Sequence, residues 1–580
     1  MSNWNRVLLA GTTVVALGLF ALASSNQAPA PAAHGIPDAY RLVTAGAGPT
    51  PSPQGVSALS RAAASSKSHA HGWLIGFDKE SLNPTDAMIA LGVHLGGFGL
   101  GPTRTSTGPA IDGDGTKESI YARALAISTK HGQTLLLADL ENQGTFAAYK
   151  EGPYGIWDIR QKVAQDLHLD PADIVVNSDH SHSGPDLIGL WGGVPVSYMQ
   201  LLFNQTVKAL ETAYANRVPA ELEVGTDTPV VPDPAVGGYI PGTATPGETL
   251  DHSQFDTDTQ NGYPDNLVDT QLRVLQAYDE LGHPIGTLIN YAAHADVMGS
   301  SNLGYSADWP GRVATATEKA LGEPVAVTMP ADVGRTQPPR PHSDPACGQA
   351  GHPNCNIDQL DTWTRIFTPW VLQAVATAAP VTGNQVASEE ILTREAATNP
   401  ALLGVGYSGE APARGFGAYR STTPPWITGN VVGTFVSAHR VGNILLTANP
   451  GEAYPDIRFG LLKGFTTAPQ AAFTFGLAND QLGYLIAPAS EYGWITTSNV
   501  GNDNSFFNVS VQYGDHIYCT QVAEVEALGF AVAPSAQPYG PDAVSPVCQA
   551  EAASDAAPMG PAPQQPWPFG DGQDVAVPGT

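Results

Sequence analysis

The chain has 580 residues, 42% of them hydrophobic, with 62 glycines and 49 prolines. That composition describes a loop-rich globular protein, long enough for one large catalytic domain with appendages or for two to four smaller domains. Its 54 acidic against 26 basic side chains give a formal charge of -28, which repels phosphate backbones and argues against nucleic acid as a partner.

The amino terminus carries one basic residue, Arg6, then an apolar run from Val7 to Ala23, then small residues. This is the pattern of an export signal cleaved between about Ala23 and Ala28. The alternative is an uncleaved anchor, but the run is short for a span of about 20 residues. No later segment reads as a span, so the expectation is a secreted protein, extracellular, periplasmic or associated with the cell envelope, with no stable membrane span once the signal is cut. Residues 1–28 are read as the signal peptide, 29–70 as a disordered Ala/Pro/Ser-rich leader, 71–530 as the functional domain and 531–580 as a Pro/Gly-rich tail.

Between leader and tail, apolar runs of strand length alternate with helical patterns. The strand-like runs are TLLLADL (Thr134 to Leu140), DIVVNS (Asp173 to Ser178), GTLINYAA (Gly286 to Ala293), PVAVTM (Pro324 to Met329), GNILLTA (Gly442 to Ala448) and AAFTFGL (Ala471 to Leu477). Helices are expected over Tyr198 to Arg217, over Asp361 to Ala379 and after Pro450. The pattern predicts an α/β fold in one large domain, with central mixed β-sheets packed between helices and ligands at the strand ends. The four cysteines pair most simply as two local disulfides, Cys347 with Cys355 and Cys519 with Cys548. With no C-x-x-C pair present, they do not read as a zinc site.

Polar groups follow the strands. DIVVNS runs into His180 and His182, TLINYAA into His294, GNILLTA through Pro450 and Gly451 into Glu452, and AAFTFGL through Asn479 toward Tyr484. In α/β folds ligands bind beyond the carboxyl ends of strands, so these groups can meet although they are far apart in sequence. Imidazole and carboxylate there suit Zn²⁺ with an open position for water. Each residue also has an ordinary reading: His294 as a hydrogen-bonded loop residue, Glu452 as a complement to a helix dipole, Tyr484 as packing. The pair in NSDHSHSGPD (Asn177 to Asp186) stands apart, because residues two apart in an extended segment face the same side.

This segment resembles the THTHSGP signature of the neutral, non-lysosomal ceramidases and their bacterial relatives. Four further segments are similar to that family in the same order: YARALAI with LLLADL, LINYAAHADVMGSSNLGYSADWPG, NPGEAYPDIR and GLANDQLGYLIAPASEY. Together they cover roughly His71 to Tyr513, the family's amino-terminal catalytic domain. The resemblance implies a zinc amidohydrolase with His180, His294, Glu452 and Tyr484 as metal ligands, His182 facing the substrate or the water, and Asp332 and Tyr492 at catalytic positions. The implied substrate is ceramide or another N-acyl lipid, or a comparable small-molecule amide.

The chain also departs from that family. Gly334 stands in ADVGRTQP where the family has a nucleophilic Ser, Gln481 stands at a family Tyr, no Asn-Arg-Ser-Pro segment supplies a substrate-side Arg, and the low-complexity sequence soon after Phe530 does not read as the family's terminal immunoglobulin-like domain. Without the Ser, hydrolysis is expected to use zinc-bound water as nucleophile, with Asp332 orienting the water or a ligating His. A zinc hydrolase of an ester or lactone, or a non-catalytic binding protein on the same scaffold, are the alternatives. Oligomeric state has no signature in the sequence.

Overall fold

The computed structural model describes residues 72–99, 101–112, 115–149, 153–229, 269–334, 336, 338, 355–396, 399, 431–487 and 507–532. The first half contains β1 (Trp73–Ser81), α1 (Asp86–Gly92), β2 (His94–Leu95), β3 (Arg104–Thr105), β4 (Tyr121–Thr129), β5 (Thr134–Leu140), α2 (Ile156–Leu167), β6 (Ile174–Ser178), α3 (Val196–Ala215), β7 (Val218–Asp227), β8 (Leu272–Asp279) and β9 (Pro284–Asn290). The second contains α4 (Asp308–Leu321), β10 (Ala326–Thr328), α5 (Cys355–Ala376), β11 (Ala379–Pro380), β12 (Val386–Ala396), β13 (Val431–Val441), β14 (Ile444–Ala448), β15 (Glu452–Ala453), α6 (Pro455–Gly464), β16 (Ala471–Phe475), β17 (Tyr484–Leu485) and α7 (Tyr513–Ala527).

The large sheet runs β10-β9-β8-β7-β1-β4-β5-β6, with β11 on β7, and the smaller one runs β12-β13-β14-β16. Both are mixed: β5 with β6, β9 with β10 and β14 with β16 are parallel, and their neighbours are antiparallel. This is the α/β architecture with mixed sheets that the alternating pattern predicts.

The apolar runs are continuous because the strands are buried on both faces. Along β4 and β5, Leu125, Ile127, Leu135 and Leu137 point to one core. Their neighbours Ala124, Ala126, Leu136 and Ala138 point to the other. The first core lies between the sheets, where Leu446 of β14 and Phe473 and Phe475 of β16 meet it. Helices α2 and α3 cover the far face of the large sheet on one side, and α4 and α5 pack Trp309, Trp363 and Phe367 against β8 to β10 on the other. Behind the smaller sheet, Val525 of α7 packs on Ala438 and Leu445, with Leu462 of α6 alongside.

The segment after β6 carries His180 and His182, the segment after β9 carries His294, and β15, which follows β14, begins with Glu452; these segments, far apart in sequence, meet at one site. No described helix is long and apolar enough to cross a membrane. The stretches read as export signal, leader and tail beyond Val532 lie outside the described residues, as do Tyr492, Cys347 and Cys548.

Candidate metal centre

Strand β6 stops at Ser178, two residues before His180. His180 itself adopts a left-handed backbone with φ of 64°, a conformation uncommon for residues other than glycine and concentrated at functional sites. The extended H-x-H segment expected from the sequence is therefore replaced by a turn, because Ser181 donates its backbone N–H to Asn142 O at 3.1 Å and its hydroxyl to Ser306 O at 2.7 Å. The turn still aims both rings inward: the centroids of His180 and His182 lie 4.9 Å apart at 79°.

His294 follows β9 at its carboxyl end. Its backbone N–H and its ring Nδ1 both approach Thr336 O, at 3.1 and 2.8 Å, while Trp309 Nε1 donates to its carbonyl at 2.9 Å. The ring of His180 makes the equivalent contact, Nδ1 to Gln143 O at 2.7 Å. A carbonyl only accepts, so each Nδ1 carries the proton and each Nε2 presents its lone pair to the site. Backbone carbonyls orient these rings, and Asp332 does not. Asp332 lies buried past β10, its Oδ1 accepting from Thr474 Oγ1 at 3.4 Å. Burial, with Asp269 nearby, pushes its carboxyl well above the usual range.

Glu452 is the first residue of β15 and pairs with Tyr484 of β17 in parallel register. Helix α6 begins at Pro455, so Glu452 precedes the helix, and the dipole reading gives way to a strand position. Glu452 Oε2 lies 3.2 Å from His294 Nε2 and 3.4 Å from His180 Nε2. Burial pushes this carboxyl up, but the two imidazoles outweigh it and hold Glu452 well below the ordinary carboxylate range. His182 completes the cluster. Both of its ring nitrogens are buried without a partner, and burial, with His180 and His294 beside it, holds the ring well below the usual imidazole value. Arg104 donates to the carbonyls of His182 and Gly96, and the Phe98 ring lies 4.6 Å from that of His182, so the loop is held from below.

One ligand atom from each of His180, His182 and His294 lies within 4.8 Å of the other two. Tetrahedral ligands on Zn–N bonds of 2.0–2.1 Å sit about 3.3 Å apart, which the Glu452 contacts match. The donor set, the orphaned nitrogens of His182 and the burial thus fit a metal ion. Tyr484 shares the same pocket wall, beside Glu452.

The site opens into a pocket. His180, His182, Glu452, Gln143 and Gln481 line the polar end, and Ile188, Leu190, Trp191 and Phe507 form apolar walls. The sequence reading did not single out Gln143 or the loop Gly96–Gly99. The run HLGGFGLG was the available signal, since adjacent glycines let backbone approach a site closely.

The fold and site define an α/β scaffold with a buried histidine and carboxylate cluster at its strand ends, able to hold a metal. No protein-family model and no curated protein matches the chain. Among solved structures it is similar to a neutral ceramidase from Pseudomonas aeruginosa, at 16% identity and a TM-score of 0.54, over 80% of this chain and 75% of that one. It is similar at 15% identity and the same TM-score to a ceramidase complexed with C2, over 80% and 76% of the two chains. The chain has the fold of these ceramidases.

Proposed function

We propose that the protein is an exported zinc-dependent hydrolase of the neutral ceramidase type, cleaving the amide bond of an N-acyl lipid to a fatty acid and an amine. One observation carries this reading: three imidazoles and a carboxylate converge at the polar end of a pocket whose walls are apolar. The ceramidase fold supports the substrate class, and the amino-terminal pattern supports export.

His180, His294 and Glu452 would hold the ion, with Tyr484 beside them and His182 on the substrate side. A zinc ion there would acidify water toward neutrality and polarise a carbonyl. The chain's own residues supply the rest. His182, which lines the pocket, takes the proton from the attacking water and passes it to the leaving nitrogen as the C–N bond breaks. The apolar wall binds the acyl chain. No side-chain nucleophile is required, since position 334 carries no hydroxyl.

Ester or lactone hydrolysis is the second reading, favoured by Gly334 and Gln481 at positions where a ceramidase differs. Metal analysis of the purified protein with His180→Ala tests the centre: about one zinc per chain is expected in the wild type, and at least a tenfold weaker affinity in the variant. Full occupancy of the variant would sink the site. Hydrolysis of an N-acyl amide against its matched ester then assigns the bond, and cleavage of neither returns the protein to the binding class.

A further inference from the structure

Two glutamines at the polar end of the pocket have no place in the chemistry above. Gln143 follows β5, and its main-chain carbonyl is already committed to the ring of His180. Its side chain is 2% exposed and lines the pocket, and its Oε1 is buried with no partner. Gln481 follows β16 and is 4% exposed; its Nε2 donates to Glu452 Oε1 at 3.3 Å, while its Oε1 is also buried without a partner.

The backbone makes room for both. A β-carbon at Gly96 would lie 1.7 Å from Gln143 Oε1, and one at Gly144 would lie 2.8 Å from Gln481 Cγ. Buried acceptors are rarely left unsatisfied, because each forfeits the hydrogen bond it made in water. Both residues line the pocket beside the metal cluster, so a donor that arrives with a ligand can satisfy these acceptors when the amide groups turn toward it. The fatty-acyl part of an N-acyl substrate has no donor and fits Ile188, Leu190 and Trp191. Its amine part can bring hydroxyl or N–H groups.

We infer that Gln143 and Gln481 are specificity-determining residues, accepting hydrogen bonds from hydroxyl or N–H groups on the amine side of an N-acyl substrate. The inference rests on the reading of the site as an amide hydrolase, and its test is separable from that reading. A site built to receive a donor discriminates strongly against an analogue that lacks it, because its own acceptors are then buried unpaired.

The probes are N-(2-hydroxyethyl)dodecanesulfonamide and N-ethyldodecanesulfonamide, which share a chain, differ by one hydroxyl and are not cleaved by amide hydrolysis. Titration calorimetry on the zinc-loaded full chain is expected to give about tenfold tighter binding of the hydroxyethyl compound. In Gln143→Met and in Gln481→Met the ratio is expected to fall to roughly twofold or less. A wild-type ratio near one overturns the inference whether or not the variants fold, and so does a variant that holds zinc and keeps the full ratio. Preference for the hydroxyethyl compound without cleavage of any N-acyl amide keeps the inference and sinks the amidase reading. Cleavage of N-acyl amides with a ratio near one does the reverse.

Discussion

At Gly334 a β-carbon would sit 2.5 Å from Glu452 O, 2.8 Å from Ala453 O and 2.9 Å from Tyr454 Cδ1. The Gly334 N–H donates to that same Ala453 carbonyl at 3.0 Å. The missing hydroxyl is therefore a packing feature: the segment that presents Glu452 lies directly on this backbone. Gly334→Ser is expected to lose about 1–3 kcal/mol of stability through overpacking and to bind zinc less tightly, read by urea unfolding and chelator competition. It should trap no acyl-enzyme by mass spectrometry, and a variant as stable as the wild type with an acylated Ser would refute the packing argument. At this scale the sequence exposed His180, His182, His294 and Glu452, because charged or ligating groups just past apolar strands stand out. It did not expose the role of Gln143, whose side chain becomes meaningful only when Gly96 and His180 are packed around it.

Within the smaller sheet, His439 of β13 is fully buried between Ser388 and Ser437, each hydroxyl 3.0 Å from a ring nitrogen. Burial, with Arg160 adding to it, lowers its pKa to about 3. The folded state thus binds fewer protons than the unfolded one, whose imidazole has the ordinary value near 6.5. Stability from this group is present above pH 6.5 and is lost as pH falls toward 3, by about 2 kcal/mol between pH 6.5 and 5. Unfolding free energies measured at those two pH values should differ less in His439→Gln by about that amount. Equal pH dependence in the two proteins would mean that the ring is not kept neutral. The strand that holds His439 was illegible in sequence, and so was its partner VASEEILTREA (Val386–Ala396). Its Ala, Glu and Leu content favours helix, and pairing with β13 along all eleven residues overrides that preference.

For the whole molecule, the stretch from Pro29 to about Ala70 is rich in Ala, Pro, Ser and Gly with few large apolar residues, a composition that has little to bury in a core. A chain beginning at His71 is expected to bind zinc and unfold as the full chain does, compared by metal analysis and calorimetry. Loss of zinc or a lower transition would assign the leader a structural part. What the sequence by itself determined is the α/β class, the strands that are apolar on both faces and the polar groups at their ends, since burial and turn chemistry are local signals. The tertiary structure alone decided which segments beyond the strands meet at one site. It also decided that His180 turns into the left-handed region, that carbonyls rather than Asp332 orient the imidazoles, and that Gly334 has no room for a side chain. Those outcomes depend on contacts between residues up to hundreds of positions apart, and no periodicity along the chain encodes them.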